Sequence, residues 1–313
     1  MNQPVEDCII IGAGLSGLAA AKSLDEAGLS VLLLDKGRRP GGRMASREFE
    51  GAMFDYGAQF FSARDTDFRS LIHSFLGAAL VTPWFERPGE TRYCSPLGMN
   101  AIPEFLSRSL RLVCGVTVSV VRHDGKIWRV IAQDGTVYSS KALIVTAPLP
   151  QTLELVDIPA DVRAALTAIE YHRCIAILAV LDGPSAIPKP GYLRLSQPPL
   201  QTLADNRQKG MESEAVGVTI LADAGFSLQH WDTPREEAAP LLLAAAAPYL
   251  GSNVSHWRYH RWRYSNPVQI YPERFYGLDQ TPPLALAGDA FGGPRVEGAF
   301  LSGHAAANWL LTK

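Results

Sequence analysis

An α/β protein is what this sequence predicts, with a doubly wound, Rossmann-like nucleotide-binding domain carrying a β-meander and a second, α+β domain. Three observations carry the prediction. Residues 8–11 form a continuous apolar run that ends in glycines, as a parallel strand buried on both faces does. A helical stretch over 16–27 follows, closed by Gly28, and an apolar strand at 31–34 completes a βαβ unit. Between 116 and 145 the pattern changes to short alternating segments separated by Asp124-Gly125 and Asp134-Gly135, the turn signals of a meander.

The remaining elements follow in order. The meander segments are 116–120, 127–132 and 136–138, and the strand at 142–146 is placed to return to the main sheet. Residues 161–170 read as a helix and 174–181 as a buried strand, whereas the proline-rich stretch 184–199 is expected to be loop. Residues 236–249 form another helix, 256–264 alternates as a strand, 284–287 is a short buried strand, and 297–311 is a long helix of small residues. On the 256–264 strand His256, Arg258, His260, Trp262 and Tyr264 share one face. This suits a sheet strand whose arginines reach past its rim better than a nucleic-acid surface. His304 lies among alanines, as a packed histidine does.

Hydrophobic residues make up 47% of the 313, ample for one large core or two smaller ones. Lys and Arg total 29 against 31 acids, a formal net charge of -2, so no basic field draws in nucleic acid or anionic lipid. Cys8, Cys94, Cys114 and Cys174 are widely spaced without a C-x-x-C, which reads as buried thiols in a reducing compartment and argues against a metal site. The apolar stretch 241–247 falls far short of the roughly 20 residues that span a bilayer, and the first residues lack the basic-then-apolar order of a secretory leader. The expectation is a cytoplasmic protein without nucleic-acid or membrane partners. No oligomeric state is legible.

The chemistry is concentrated in glycine-rich segments. Gly12-Ala13-Gly14-Leu15-Ser16-Gly17 is G-x-G-x-x-G between a strand and a helix. Its glycines allow a tight turn and let a pyrophosphate approach amides at the helix N-terminus. Asp35, at the end of the second strand, is placed to accept from adenosine ribose hydroxyls and disfavours a 2′-phosphate. That fingerprint alone does not separate NAD from FAD. Further segments do: Arg39-Pro40-Gly41-Gly42-Arg43, Asp55-Tyr56-Gly57-Ala58-Gln59-Phe60, Ala287-Gly288-Asp289-Ala290, and the helix start Val296-Glu297-Gly298-Ala299. A carboxylate at a strand end binds a ribityl hydroxyl, and a helix N-terminus stabilises negative charge on a reduced flavin ring. Singly, Arg43 serves equally as a surface ion pair and Asp289 as a turn acid; with the fingerprint they assemble an FAD site. The cofactor set is Gly12, Ala13, Gly14, Ser16, Gly17, Asp35, Lys36, Gly42, Arg43, Gly57, Ala58, Gln59, Phe60, Val118, Asp289 and Val296.

Together these segments resemble the flavin-containing amine oxidase superfamily over nearly the whole chain, and within it renalase-type flavoproteins of bacteria. The Asp55–Phe60 segment, the Trp262-Arg263-Tyr264-Ser265 strand end and Gly288-Asp289-Ala290-Phe291 carry the second likeness. The resemblance implies noncovalent FAD, since no cysteine lies near the last flavin segment. It also implies oxidation of 1,2- and 1,6-dihydro isomers of NAD(P)H to NAD(P)+, with dioxygen reduced to hydrogen peroxide. The partners implied are a small dinucleotide substrate and dioxygen. An amine oxidase or desaturase-type flavoprotein is the alternative, and a non-catalytic FAD-binding protein a third. Arg295 stands where monoamine oxidases usually place an aromatic residue, and a cation there disfavours an ammonium substrate. Arg64 and Arg295 are candidate charge partners of the substrate, with Pro96 and Tyr192 as walls. The domains expected are a discontinuous FAD-binding one of residues 1–74, 111–150 and 281–313, and a substrate-binding one of 75–110 and 151–280.

Overall fold

A computed structural model describes residues 4–293 and 295–313. The chain divides into two compact units: residues 1–42, 103–170 and 266–313 form the first, and 43–102 with 171–265 the second.

The first unit is built on an eight-stranded sheet. Val5–Ile11 lies between Val137–Val145 and Val31–Asp35, and Leu284–Leu286 and Leu112–Cys114 extend the sheet on either side, all parallel. Ile9, Ile10, Leu33, Leu34, Leu143 and Ile144 are fully buried, which is why these strands read as unbroken apolar runs. The segments expected separately at 136–138 and 142–146 are one strand. Val137–Ser140 pairs antiparallel with Trp128–Ile131, and the strand then runs on beside Val5–Ile11. Lys141 interrupts the apolar pattern only because it is exposed there and paired with Asp7. Helix Arg295–Leu310 packs on helix Leu15–Glu26 so closely that a Cβ on Gly303 would lie 1.9 Å from the Ser16 carbonyl oxygen. His304 is packed there and shares a hydrogen bond with Ser23, Nδ1 to Oγ 2.9 Å.

The second unit holds a five-stranded sheet in the order Tyr192–Arg194, Leu200–Asp205, Val216–Ala222, Tyr171–Leu181, Val254–Pro267. One face is covered by helix Arg235–Leu250, whose Ala239, Leu242, Ala246 and Leu250 meet Ile175, Ile177, Leu203, Val218 and Ile220. The hairpin Ser46–Phe49 and Ala52–Asp55 packs Phe54 and Tyr56 with Leu178 and Val180. The Phe54 ring leaves no room for a side chain at 217, where a Cβ would approach it to 2.9 Å.

These packings move the expected boundaries. Residues 43–74, expected with the nucleotide-binding domain, belong to the second unit because their hairpin shares its core. Residues 103–110, 151–170 and 266–280, expected with the substrate domain, belong to the first; Tyr276–Leu278 pairs there with Leu284–Leu286. The stretch 184–199, expected to be loop, contains the edge strand Tyr192–Arg194.

Candidate functional site

In the first unit the parallel strands Val5–Ile11, Val31–Asp35 and Leu284–Leu286 bring Gly12, Asp35 and Gly288-Asp289 to one edge of the sheet, the carboxyl edge where ligands of such sheets bind. Gly12 has φ 106, and a Cβ on Gly17 would lie 1.9 Å from the Gly12 oxygen. Glycine at both positions lets the helix start against the strand end. Gly14 differs: its φ of -73 suits any residue, yet a Cβ there would meet nothing within 4 Å. The helix starts at that point without a side-chain cap, so its first amides keep their capacity for an anion. The buried Ser16 hydroxyl has no hydrogen-bond partner among the described residues, an arrangement that costs about 1–3 kcal/mol until a ligand oxygen meets it.

Asp35 supports this loop directly. Its Oδ2 accepts from the Ala13 amide at 2.6 Å and its Oδ1 from the Gly37 amide at 2.6 Å. The Gly41 amide donates to Ala13 O at 2.9 Å, and a Cβ on Gly42 would lie 3.7 Å from Gly14 Cα. Lys36 donates to Gln151 Oε1 at 3.1 Å, and the half-buried Val118 opens the first meander strand, Val118–His123, which is largely exposed. Asp289 and Val296 are buried, and the Gly288 amide donates to Ser302 Oγ at 2.8 Å. An open cradle over Gly14, uncapped amides, an orphaned serine hydroxyl and a carboxylate at the second strand end are the donor and acceptor set that a dinucleotide's pyrophosphate and ribose require.

The second unit carries the other predicted residues. Arg43 donates to the carbonyls of Tyr264 at 3.3 Å and Ser265 at 3.2 Å, and the Ala58 amide donates to Arg43 O at 2.8 Å. A Cβ on Gly57 would lie 2.0 Å from that same oxygen, so this close crossing requires glycine. Trp262 stacks on Tyr56 and donates from Nε1 to Tyr56 O at 2.7 Å. The shared face of its strand therefore covers the hairpin, with Arg258 over the Phe49 ring.

Beneath this segment lies a buried polar network that sequence reasoning missed. Lys209 Nζ donates to Asp55 Oδ2 at 3.1 Å and to Gln59 Oε1 at 2.6 Å. Asp55 Oδ1 also accepts from the Ser46 hydroxyl and the Met99 amide. Both amide hydrogens of Gln59 go to backbone oxygens, Asp55 O at 2.7 Å and Gly57 O at 3.1 Å. Lys209 has no motif around it, and only three-dimensional packing reveals it.

Phe60 belongs to a ring cluster with Trp84, Phe85 and Tyr192, at centroid distances of 6.1, 5.3 and 5.1 Å. Trp84 is fixed by donating to Pro190 O at 2.7 Å. Each ring also faces a cation: Arg92 lies 5.8 Å from Phe60, Arg87 6.0 Å from both Phe85 and Tyr192, and Lys209 5.2 Å from Trp84. Burial pushes the Tyr192 phenol up, against the opposing pull of Arg87, Arg194 and Arg92. Arg64 and Arg92 both grip Glu90, and the Arg64 hydrogen bond first, then Arg92, holds that carboxyl down to about 2. Arg64, Arg69, Glu90 and Tyr93 line an open cavity of about 520 Å³. Pro96 is half-buried beside Gly210. Arg295 is an exposed residue of the first unit, at φ 84. Among the described residues no group of three or more metal-ligating side chains occurs and no helix is long and apolar enough to cross a membrane.

The fold and the glycine cradle define a dinucleotide-binding α/β protein. Residues 10–75 match the model of an NAD(P)-binding Rossmann-like domain, and residues 77–311 match that of the flavin containing amine oxidoreductases. The chain belongs to this flavin amine oxidoreductase family, and its nucleotide is FAD. Among curated proteins it is 36% identical over 92 residues to a putrescine oxidase of Kocuria rosea, covering 29% of this chain and 19% of that protein. It is 40% identical over 60 residues to a carotenoid 3,4-desaturase of Haloarcula japonica, 19% of this chain and 12% of that one. The matches thus span a fifth or less of these relatives' lengths. Among solved structures, a putrescine oxidase bound to putrescine superposes with TM-score 0.73 at 15% identity, covering 99% of this chain and 100% of that one. Cyclohexylamine oxidase from Brevibacterium oxydans gives 0.72 at 13% identity, covering 99% of each chain.

Proposed function

We propose that this chain is an FAD-dependent oxidoreductase whose substrate is an electron-rich dihydronicotinamide, a 1,2- or 1,6-dihydro isomer of NAD(P)H, oxidised to NAD(P)+. When bound, FAD supplies a two-electron acceptor at its N5 and passes the electrons to dioxygen, which leaves as hydrogen peroxide. The rest of the work is orientation and exclusion, and the observation that supports this substrate class is the cation beside every ring of the Phe60, Trp84, Phe85 and Tyr192 cluster. Asp55 balances Lys209. Glu90 is shared by Arg64 and Arg92, and Arg87 has no carboxylate within ion-pair distance among the described residues. The surplus is positive. A protonated amine about 6 Å from an unbalanced guanidinium is repelled by roughly 3 kcal/mol at an effective dielectric of about 20, whereas a neutral dihydropyridine bearing phosphates is not.

A second reading, an amine or desaturase-type substrate, is favoured by the relatives, which include a putrescine oxidase and a carotenoid desaturase. Anaerobic mixing with putrescine, benzylamine and dihydronicotinamide isomers, followed by flavin bleaching, separates the two. Rapid bleaching by an amine removes the dihydronicotinamide reading. The flavin is expected to be noncovalent. Burial raises the thiols of Cys94 and Cys174 to about 11 and 12 and pushes those of Cys8 and Cys114 up as well, which leaves poor nucleophiles for a flavin link. Acid should therefore release all the yellow colour from the precipitated polypeptide.

A further inference from the structure

Lys209 and Asp55 have fully buried side chains, and replacing such an ion pair by apolar residues is often neutral or stabilising. A geometric use accounts for its presence here. The ammonium holds Gln59 Oε1 at 2.6 Å, so the amide's hydrogens point to Asp55 O and Gly57 O. Reversing the amide would set its oxygen against those two carbonyl oxygens. Without the ammonium, the Asp55 carboxylate would attract the amide hydrogens instead and pull them off the backbone of the Gly57 turn. The same ammonium lies 5.2 Å from the Trp84 ring of the cluster that contains Phe60.

We propose that Lys209 is a positioning residue: by locking the Gln59 amide it fixes the 57–60 backbone and the Phe60 ring for flavin and substrate. The inference rests on the assignment of the Asp55–Phe60 segment to the flavin edge. It needs no particular substrate.

The test uses holoenzyme of Gln59→Met, Lys209→Met and the double variant Asp55→Asn/Lys209→Met. Lys209→Met alone should melt far below the parent, because it strands a buried carboxylate, and the double variant should recover most of that loss. Both the double variant and Gln59→Met should nevertheless show a shifted visible flavin spectrum and faster FAD release. The concentration for half-maximal flavin reduction should rise about tenfold in each, with no further rise when they are combined, as for residues acting through one contact. Parental spectrum, release rate and half-saturation in Gln59→Met would overturn the proposal. That variant keeps the ion pair, so it decides the matter even where the double variant folds poorly. If neither amines nor dihydronicotinamides bleach the parent flavin, the substrate reading falls, while spectrum and release rate still judge Lys209.

Discussion

Asp35 Oδ2 accepts the Ala13 amide at 2.6 Å, tying the end of the second strand to the middle of the nucleotide loop. One carboxylate thus shapes the loop and keeps acceptor capacity for a ribose hydroxyl. Asp35→Ala should lose both. A charge-assisted hydrogen bond contributes about 1.5–3 kcal/mol, so the FAD dissociation constant should rise roughly tenfold or more. Fluorescence titration of the apoprotein measures this, and unchanged affinity would place the adenosine elsewhere.

The glycines of the loop make opposite predictions. A Cβ at 17 collides with backbone at 1.9 Å, whereas one at 14 meets nothing in the chain. Gly17→Ala should destabilise the apoprotein by at least the 1–3 kcal/mol typical of overpacking. Gly14→Ala should cost the apoprotein less than about 1 kcal/mol and yet reject FAD, since its methyl group fills the space a pyrophosphate needs. Denaturant melts with and without FAD separate the two variants. Tight FAD binding by Gly14→Ala would show that the phosphates lie elsewhere.

Local patterns made the first unit legible and left much of the second hidden, for physical reasons. A parallel strand covered on both faces announces itself as an apolar run, and the loop after it is written in glycines. The Ser46–Phe49 and Ala52–Asp55 hairpin shows no such pattern, because its polar residues are spent on buried partners: Ser46 and Asp55 bind each other across the hairpin, and Asp55 binds Lys209, 154 residues away. The same holds for Gln59. Its motif was visible, but that both its amide hydrogens are held by backbone depends on Lys209, 150 residues away. The strand Val137–Val145 looks like two separate segments in the sequence because its first half pairs with the meander and its second half is buried in the sheet.

His260 gives the fold a pH dependence. Its ring lies 4.9 Å from Tyr56 and 4.4 Å from Trp262, and burial, reinforced by Arg47 and Arg258, lowers its pKa from 6.5 to about 4. Between those values the unfolded chain binds a proton that the folded chain refuses. The contribution is therefore complete above pH 6.5 and is lost as pH falls toward 4, on the order of 3 kcal/mol in all. His260→Asn should flatten that part of the stability profile. Equal slopes for both proteins from pH 7 to 4 in urea titrations would show that His260 is protonated freely in the fold.

Arg295 combines an unusual backbone with an exposed charge. Its φ of 84 lies in the left-handed region, where a residue other than glycine costs on the order of 1 kcal/mol or more, and it opens the helix whose Val296 is buried. Arg295→Gly should relieve that strain and raise the melting temperature by a few degrees or less. Arg295→Ala keeps the strain and removes the charge. If the guanidinium attracts a phosphate-bearing substrate, both variants should need a higher dinucleotide concentration for half-maximal flavin reduction, with the limiting rate and the FAD content unchanged. Neither should gain activity toward amines, because the unbalanced Arg87 still faces the ring cluster. Stopped-flow reduction with both substrate classes reads these outcomes together. Parental dinucleotide kinetics in both variants would leave Arg295 as a strained helix start with no part in recognition, and amine oxidation gained by Arg295→Ala would move the charge filter from the ring cluster to this helix.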